Sequence, residues 1–89
     1  MSAKRFVVRG RVQGVMFRAS AAAEAERLGV SGRIWNRDDG AVEAEAGGGA
    51  EQLAAFERWL HHGPPHARVE SVDVEDLADE VRYRGFAAD

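Results

Sequence analysis

No cysteine occurs among the 89 residues, which excludes disulfide scaffolding, Cys-based zinc sites and thiol catalysis together. No run of apolar residues is long enough to span a bilayer, so no membrane partner is expected. Met1-Ser2-Ala3-Lys4-Arg5 leads into a strand-like segment and not into an apolar signal run. Together with the missing cysteine, this makes a cytoplasmic location the expectation. A strong excess of positive charge is also lacking: the formal net charge is −3, unlike a general nucleic-acid surface. Large apolar side chains are scarce, because 16 of the hydrophobic residues are alanine. The core must therefore rest on few anchors, among them Phe6, Val8, Phe17, Ile34, Leu53, Phe56, Trp59, Val74 and Phe86.

What charge there is lies unevenly. Lys4, Arg5, Arg9, Arg11 and Arg18 fall within the first 18 residues, with no acidic residue among them. Glu70, Asp73, Glu75, Asp76, Asp79 and Glu80 crowd the C-terminal part. An acidic chain with one basic region suits a small anion better than a polyanion.

The length predicts a single domain over residues 1–89. Alternation around Phe6 and Val8 predicts a strand over Lys4 to Gly10. The alanine-rich stretch from Phe17 to Leu28 reads as a helix, with Ala21, Ala25 and Leu28 on one face and Gly29 as its cap. Val30 to Arg37 and Ala41 to Ala46 read as strands joined by an Asp38-Asp39-Gly40 hairpin turn. Gly47-Gly48-Gly49 is expected to break the third strand. A second helix follows from about Glu51 to His62, with Leu53, Phe56, Trp59 and Leu60 as its apolar stripe, and Gly63-Pro64-Pro65 stops it. A fourth strand is predicted near Arg68 to Glu75 and a weak final one near Val81 to Phe86. The order β-α-β-β-α-β is the split βαβ arrangement of an α+β, ferredoxin-like fold, an antiparallel sheet with two helices on one face.

The chemistry concentrates in Gly10-Arg11-Val12-Gln13-Gly14-Val15-Met16-Phe17-Arg18, between a strand and a helix. Such a junction leaves backbone N–H groups unpaired at the positive end of the helix. Gly14 lets successive N–H groups converge into a nest, and the Arg18 guanidinium can pair with two oxygens of a phosphate. The same pattern also describes a tight turn followed by a solvated arginine, and the residues alone leave both readings open.

This segment resembles the signature of the acylphosphatase family, G-x-V-Q-G-V-x-F-R, at every fixed position. A second family element, G-x-V-x-N followed by D-G-x-V, is similar to Gly32, Ile34, Asn36, Asp39, Gly40 and Val42. A third, W-L-x-x-G-P-x-x-A-x-V, matches at Trp59, Leu60, Gly63, Pro64, Ala67 and Val69. The resemblance implies hydrolysis of a small-molecule acyl phosphate, the mixed anhydride of a carboxylic and a phosphoric acid, with no cofactor and no metal. It places the phosphate-binding arginine on Arg18 and the water-positioning asparagine on Asn36. The backbone cradle falls on Gln13, Gly14, Val15, Met16 and Phe17, so Met16 contributes through its backbone. A monomer with no nucleic-acid partner is expected. Two other functions compete: a non-catalytic phosphate- or carbamoyl phosphate-binding module, and a ferredoxin-like nucleic-acid-binding domain.

The second strand departs from the family pattern, with Arg33 where an aromatic residue is common and Trp35 where a polar one is usual. By alternation Trp35 is expected on the open face of the sheet. Asp38 and Asp39 are read as turn residues, and His61, His62 and His66 as surface histidines.

Overall fold

The computed structural model describes residues 2–77 and 83–89. Strand β1 (Ser2–Arg11) leads into helix α1 (Phe17–Leu28), then β2 (Ser31–Asn36), β3 (Val42–Gly48), α2 (Ala50–Leu60), β4 (Arg68–Asp76) and β5 (Phe86–Ala88). The strands lie in the order β4-β1-β3-β2-β5. β1 runs antiparallel to β3 and β4, and β2 antiparallel to β3, as the split βαβ order requires.

The sheet is mixed, not wholly antiparallel, because β5 runs parallel to β2 through Gly32–Phe86, Arg33–Ala87 and Ile34–Ala88. Alternation shows where a strand lies, but it does not fix the pairing direction of a strand that no hairpin delivers. The final strand also lies later than predicted, and Val81 falls outside the described residues.

Helix α1 keeps its predicted bounds. Gly29, at φ 77°, ends it with Val30 N–H donating to Ala25 O (2.9 Å) and Gly29 N–H to Glu26 O (3.2 Å). These two bonds form a Schellman cap. Ala21 and Ala25 are fully buried, so the small side chains bring this helix close to the sheet. Helix α2 stops at Leu60, earlier than expected: His62 N–H donates to Trp59 O three residues back (3.0 Å), which tightens the last turn, and Gly63, at φ 68°, turns the chain out of the helix.

Both helices cover the face that carries Phe6, Val8, Ile34, Val42 and Ala44. Phe56 of α2 packs edge-on against Phe6 (5.9 Å between centroids) and Phe86 (5.4 Å), and Phe17 meets Trp59 at 5.5 Å. Val74 is the expected anchor that fails, at 39% exposed. It lies on the edge strand β4 and stands outside the core cluster.

The glycine run behaves differently from the expected break. β3 continues through Gly47 and Gly48, which are buried and pair with Ala3 and Ser2 of β1. Only Gly49 ends the strand, as the residue preceding α2. Gly32 carries a stricter demand: its φ is 151°, and a Cβ there would run into the carbonyl oxygen of Glu45 on β3. Gly32→Ala is expected to cost about 3 kcal/mol or more, read as a lower midpoint in urea denaturation.

On the open face, the two departures in β2 compensate one another. The Arg33 guanidinium lies 4.6 Å above the Trp35 ring and pairs with Asp89 at 2.8 Å. Arg5 pairs with Glu43, Glu45 and Glu75, and Arg9 and Arg37 both pair with Asp39. Exposed pairs of this kind contribute little individually, because water and salt screen them. They do neutralise a face that would otherwise be a basic stripe.

Candidate active site

β1 reaches its end through a register shift between Arg9 and Gly10, against β4. Gly10, at φ 129°, approaches the backbone of Arg68 and Glu70 too closely for any side chain. The chain then turns through Gln13–Met16 into α1. Val12 is buried (1% exposed) and Val15 packs on the core, so the loop is anchored from below. Gly14 takes φ 74°, and Met16 takes φ 65°, a left-handed conformation unusual for a residue with a side chain. Holding Met16 there costs about 1 kcal/mol.

No side chain caps the start of α1. The first bond across the Met16 junction is Ser20 N–H to Met16 O at 3.1 Å, so Phe17, Arg18 and Ala19 lie ahead of the helical ladder. Their N–H groups sit at the positive end of the helix, where an anion is favoured. A cleft of about 370 Å³ opens there, lined by Gly14, Met16, Phe17 and Arg18 with Val12, Ala19 and Ala88. Among the described residues Arg18 brings the only charged side chain to this lining, and it makes no ion pair or side-chain hydrogen bond with any of them. The Met16 side chain is largely in solvent, at 72% exposed.

Phe17 fixes the helix start. Its ring packs on Trp59 and covers Gly63, where a Cβ would come within 2.6 Å of it. The Trp59 to Gly63 segment thus supports the loop from below instead of contributing chemistry.

Asn36 ends β2 on the same side of the sheet as Ile34, exposed and opposite Val42. It does not line the cleft, whereas Gly14, Met16, Phe17 and Arg18 do. The next residues form a stiff turn. Arg37 N–H donates to Ala41 O at 2.8 Å, Gly40 N–H to Arg37 O at 3.2 Å, and Ala41 N–H to Asp39 Oδ1 at 3.1 Å. That Ala41 N–H bond, with Arg9 and Arg37 beside it, holds the Asp39 carboxyl below its usual range. Asp39 is therefore a turn residue that stays ionised, and Asp38 is exposed. His61, His62 and His66 are likewise exposed.

One contact was not legible in the sequence. The Gln13 side chain donates to Arg37 O (2.8 Å) and Ala41 O (3.0 Å), joining the loop to the β2–β3 turn. No spacing rule announces a bond between residues 24 and 28 positions apart.

This fold and this loop define a class: a ferredoxin-like α+β domain with a cleft at an uncapped helix start, where its first strand meets its first helix. The acylphosphatase family model matches residues 4–88. Curated acylphosphatases of Anaeromyxobacter dehalogenans and Rubrobacter xylanophilus are 58% and 54% identical over 86 and 82 residues. The matches cover 89% and 92% of this chain and 92% and 74% of those proteins. The crystal structure of acylphosphatase from Bacillus subtilis superposes with a TM-score of 0.95 at 34% identity, over 99% of this chain and 98% of that one. The chain belongs to the acylphosphatase family, and it is an enzyme that hydrolyses acyl phosphates. No helix among the described residues is long and apolar enough to cross a membrane.

Proposed function

We propose that the phosphoryl group sits in the cradle of backbone N–H groups from Gln13 to Phe17, gripped by Arg18, while Asn36 positions a water for in-line attack on phosphorus. The observation that carries this reading is the uncapped start of α1 opening onto the cleft beside Arg18.

The chemistry asks for little else. A carboxylate leaves an acyl phosphate without needing a proton, so no general acid is required. The work that remains is to hold the phosphoryl group, to stabilise charge on its equatorial oxygens, and to place the water. The cradle and Arg18 perform the first two tasks, acting as fixed donors that need no reorganisation. Arg18 suits the bidentate role because its planar fork matches two phosphate oxygens. The Asn36 amide orients the water but is too weak a base to deprotonate it. The substrate's own phosphate oxygens accept that proton. Neither metal nor cofactor takes part in this scheme.

We read the enzyme as a cytoplasmic monomer acting on a small molecule and not on nucleic acid. Net charge −3 and the pairing of Arg5, Arg9, Arg33 and Arg37 with carboxylates support the last point.

Asn36→Ala tests the division of labour. With benzoyl phosphate as substrate it should lower kcat about 100-fold while the inhibition constant of inorganic phosphate changes less than about threefold. The opposite pattern would make Asn36 a phosphate ligand. A chelator should leave the rate unchanged, and inhibition by it would count against the metal-free scheme.

A further inference from the structure

The two halves of the proposed site belong to different parts of the fold. The cradle and Arg18 follow β1, whereas Asn36 lies at the end of β2. Strand pairing alone does not couple them tightly, because β3 lies between β1 and β2. The side chain of Gln13 bridges this gap directly. Its amide nitrogen lies 2.8 Å from Arg37 O and 3.0 Å from Ala41 O. Both partners are acceptors, so the nitrogen and not the oxygen must face them, and each of its two hydrogens serves one carbonyl.

These two carbonyls are the structural ends of the turn. Ala41 O also accepts the Arg37 N–H at 2.8 Å, and Arg37 O also accepts the Gly40 N–H at 3.2 Å. Asp39 locks the same turn from the other side through the Ala41 N–H and its pairs with Arg9 and Arg37. Arg37 is the residue immediately after Asn36. At its other end, Gln13 lies between Val12, which is buried, and Gly14, which is exposed, and both line the cleft.

We infer that Gln13 is a positioning residue: its side-chain amide is a strut that sets the distance between the phosphate cradle and Asn36, and hence the line of water attack. The inference rests on the water-positioning reading of Asn36. It gives Gln13 two separate duties, a backbone N–H in the cradle and a side chain that never meets the substrate. Since rate depends steeply on the alignment of reacting atoms, while phosphate binding depends on the cradle and Arg18, the two duties separate kinetically.

The test uses Gln13→Met, which keeps length and packing but has no donors, and Gln13→Glu, which keeps shape but turns carboxylate oxygens toward two carbonyls. Gln13→Met should lower kcat for benzoyl phosphate about tenfold and change the inhibition constant of inorganic phosphate less than about threefold. Gln13→Glu should be slower still, and both variants should retain a cooperative melt. In the Asn36→Ala background, adding Gln13→Met should cost less than about threefold, because the group it positions has gone. Wild-type kcat in both Gln13 variants, or an equal loss in the two backgrounds, would overturn the strut. So would loss of the cooperative melt in both variants, or weakening of phosphate in step with kcat, since either makes Gln13 a folding or cradle residue only. Full activity in Asn36→Ala alone defeats the underlying reading and is seen without any change at Gln13.

Discussion

Arg18→Ala is expected to lower kcat/KM for benzoyl phosphate by about 100- to 1,000-fold, the usual consequence of removing one preorganised charged donor. Inorganic phosphate should inhibit the variant far more weakly, because among the described residues the guanidinium is the only charged side chain lining the cleft. Stability, by contrast, should barely change. Arg18 is half-buried and makes no ion pair or side-chain hydrogen bond among the described residues, so its loss should stay within about 0.5 kcal/mol. That split between activity and stability separates a substrate ligand from a structural arginine. Arg18→Lys sharpens the point: it restores the charge but not the planar fork, and should remain at least about tenfold below the parent. If Arg18→Ala keeps most of its activity, the assignment fails.

Phe56→Ala should produce the largest loss of stability. The ring is fully buried and packs edge-on against Phe6 of β1 and Phe86 of β5. It therefore ties α2 to an inner strand of the sheet and to its β5 edge at once. Removing such a ring costs about 3–5 kcal/mol, from lost burial and from the cavity left behind. A small domain holds only about 5–15 kcal/mol in total, so the variant should sit close to its folding limit. Thermal denaturation should show Tm lowered by more than about 12 °C. A shift of only a few degrees would mean that the core closes around the missing ring. Phe56 does not line the cleft, so molecules that remain folded should still be inhibited by inorganic phosphate.

These two residues were legible in the sequence for different reasons. Phe56 lies on an apolar stripe of helical period, and Arg18 marks the point where a glycine-bearing loop becomes a helix. Helix α1 was readable from end to end, because alanine content and Gly29 both act locally. The errors arose where the deciding contact was distant. Gly47 and Gly48 look like breakers, yet β3 continues through them because neighbouring strands pair with it there. Val74 has the parity of a core residue, but it sits on an edge strand and outside the core cluster. β5 is parallel because its partner is β2, a choice no local pattern encodes. The family pattern does not anticipate Arg33 and Trp35, which stack on each other on the open face.

In the site itself, the sequence showed which backbone segment is suited to a cradle but not what the Gln13 side chain holds. It also did not show that Met16, with no side-chain hydrogen-bond donor, adopts a left-handed turn at the mouth of the cleft. The Gln13 bond follows from tertiary placement of the β2–β3 turn beside the loop, and the Met16 conformation from the anchoring of Val15 and Phe17 on either side.

The central claim is that water attacks phosphorus, aligned by groups around a phosphoryl cradle. Hydrolysis of benzoyl phosphate in water enriched in oxygen-18 tests it most directly. The label is predicted to appear in inorganic phosphate and not in benzoate. Label in benzoate would place the attack on the acyl carbon and contradict the roles assigned to Arg18, Asn36 and the cradle.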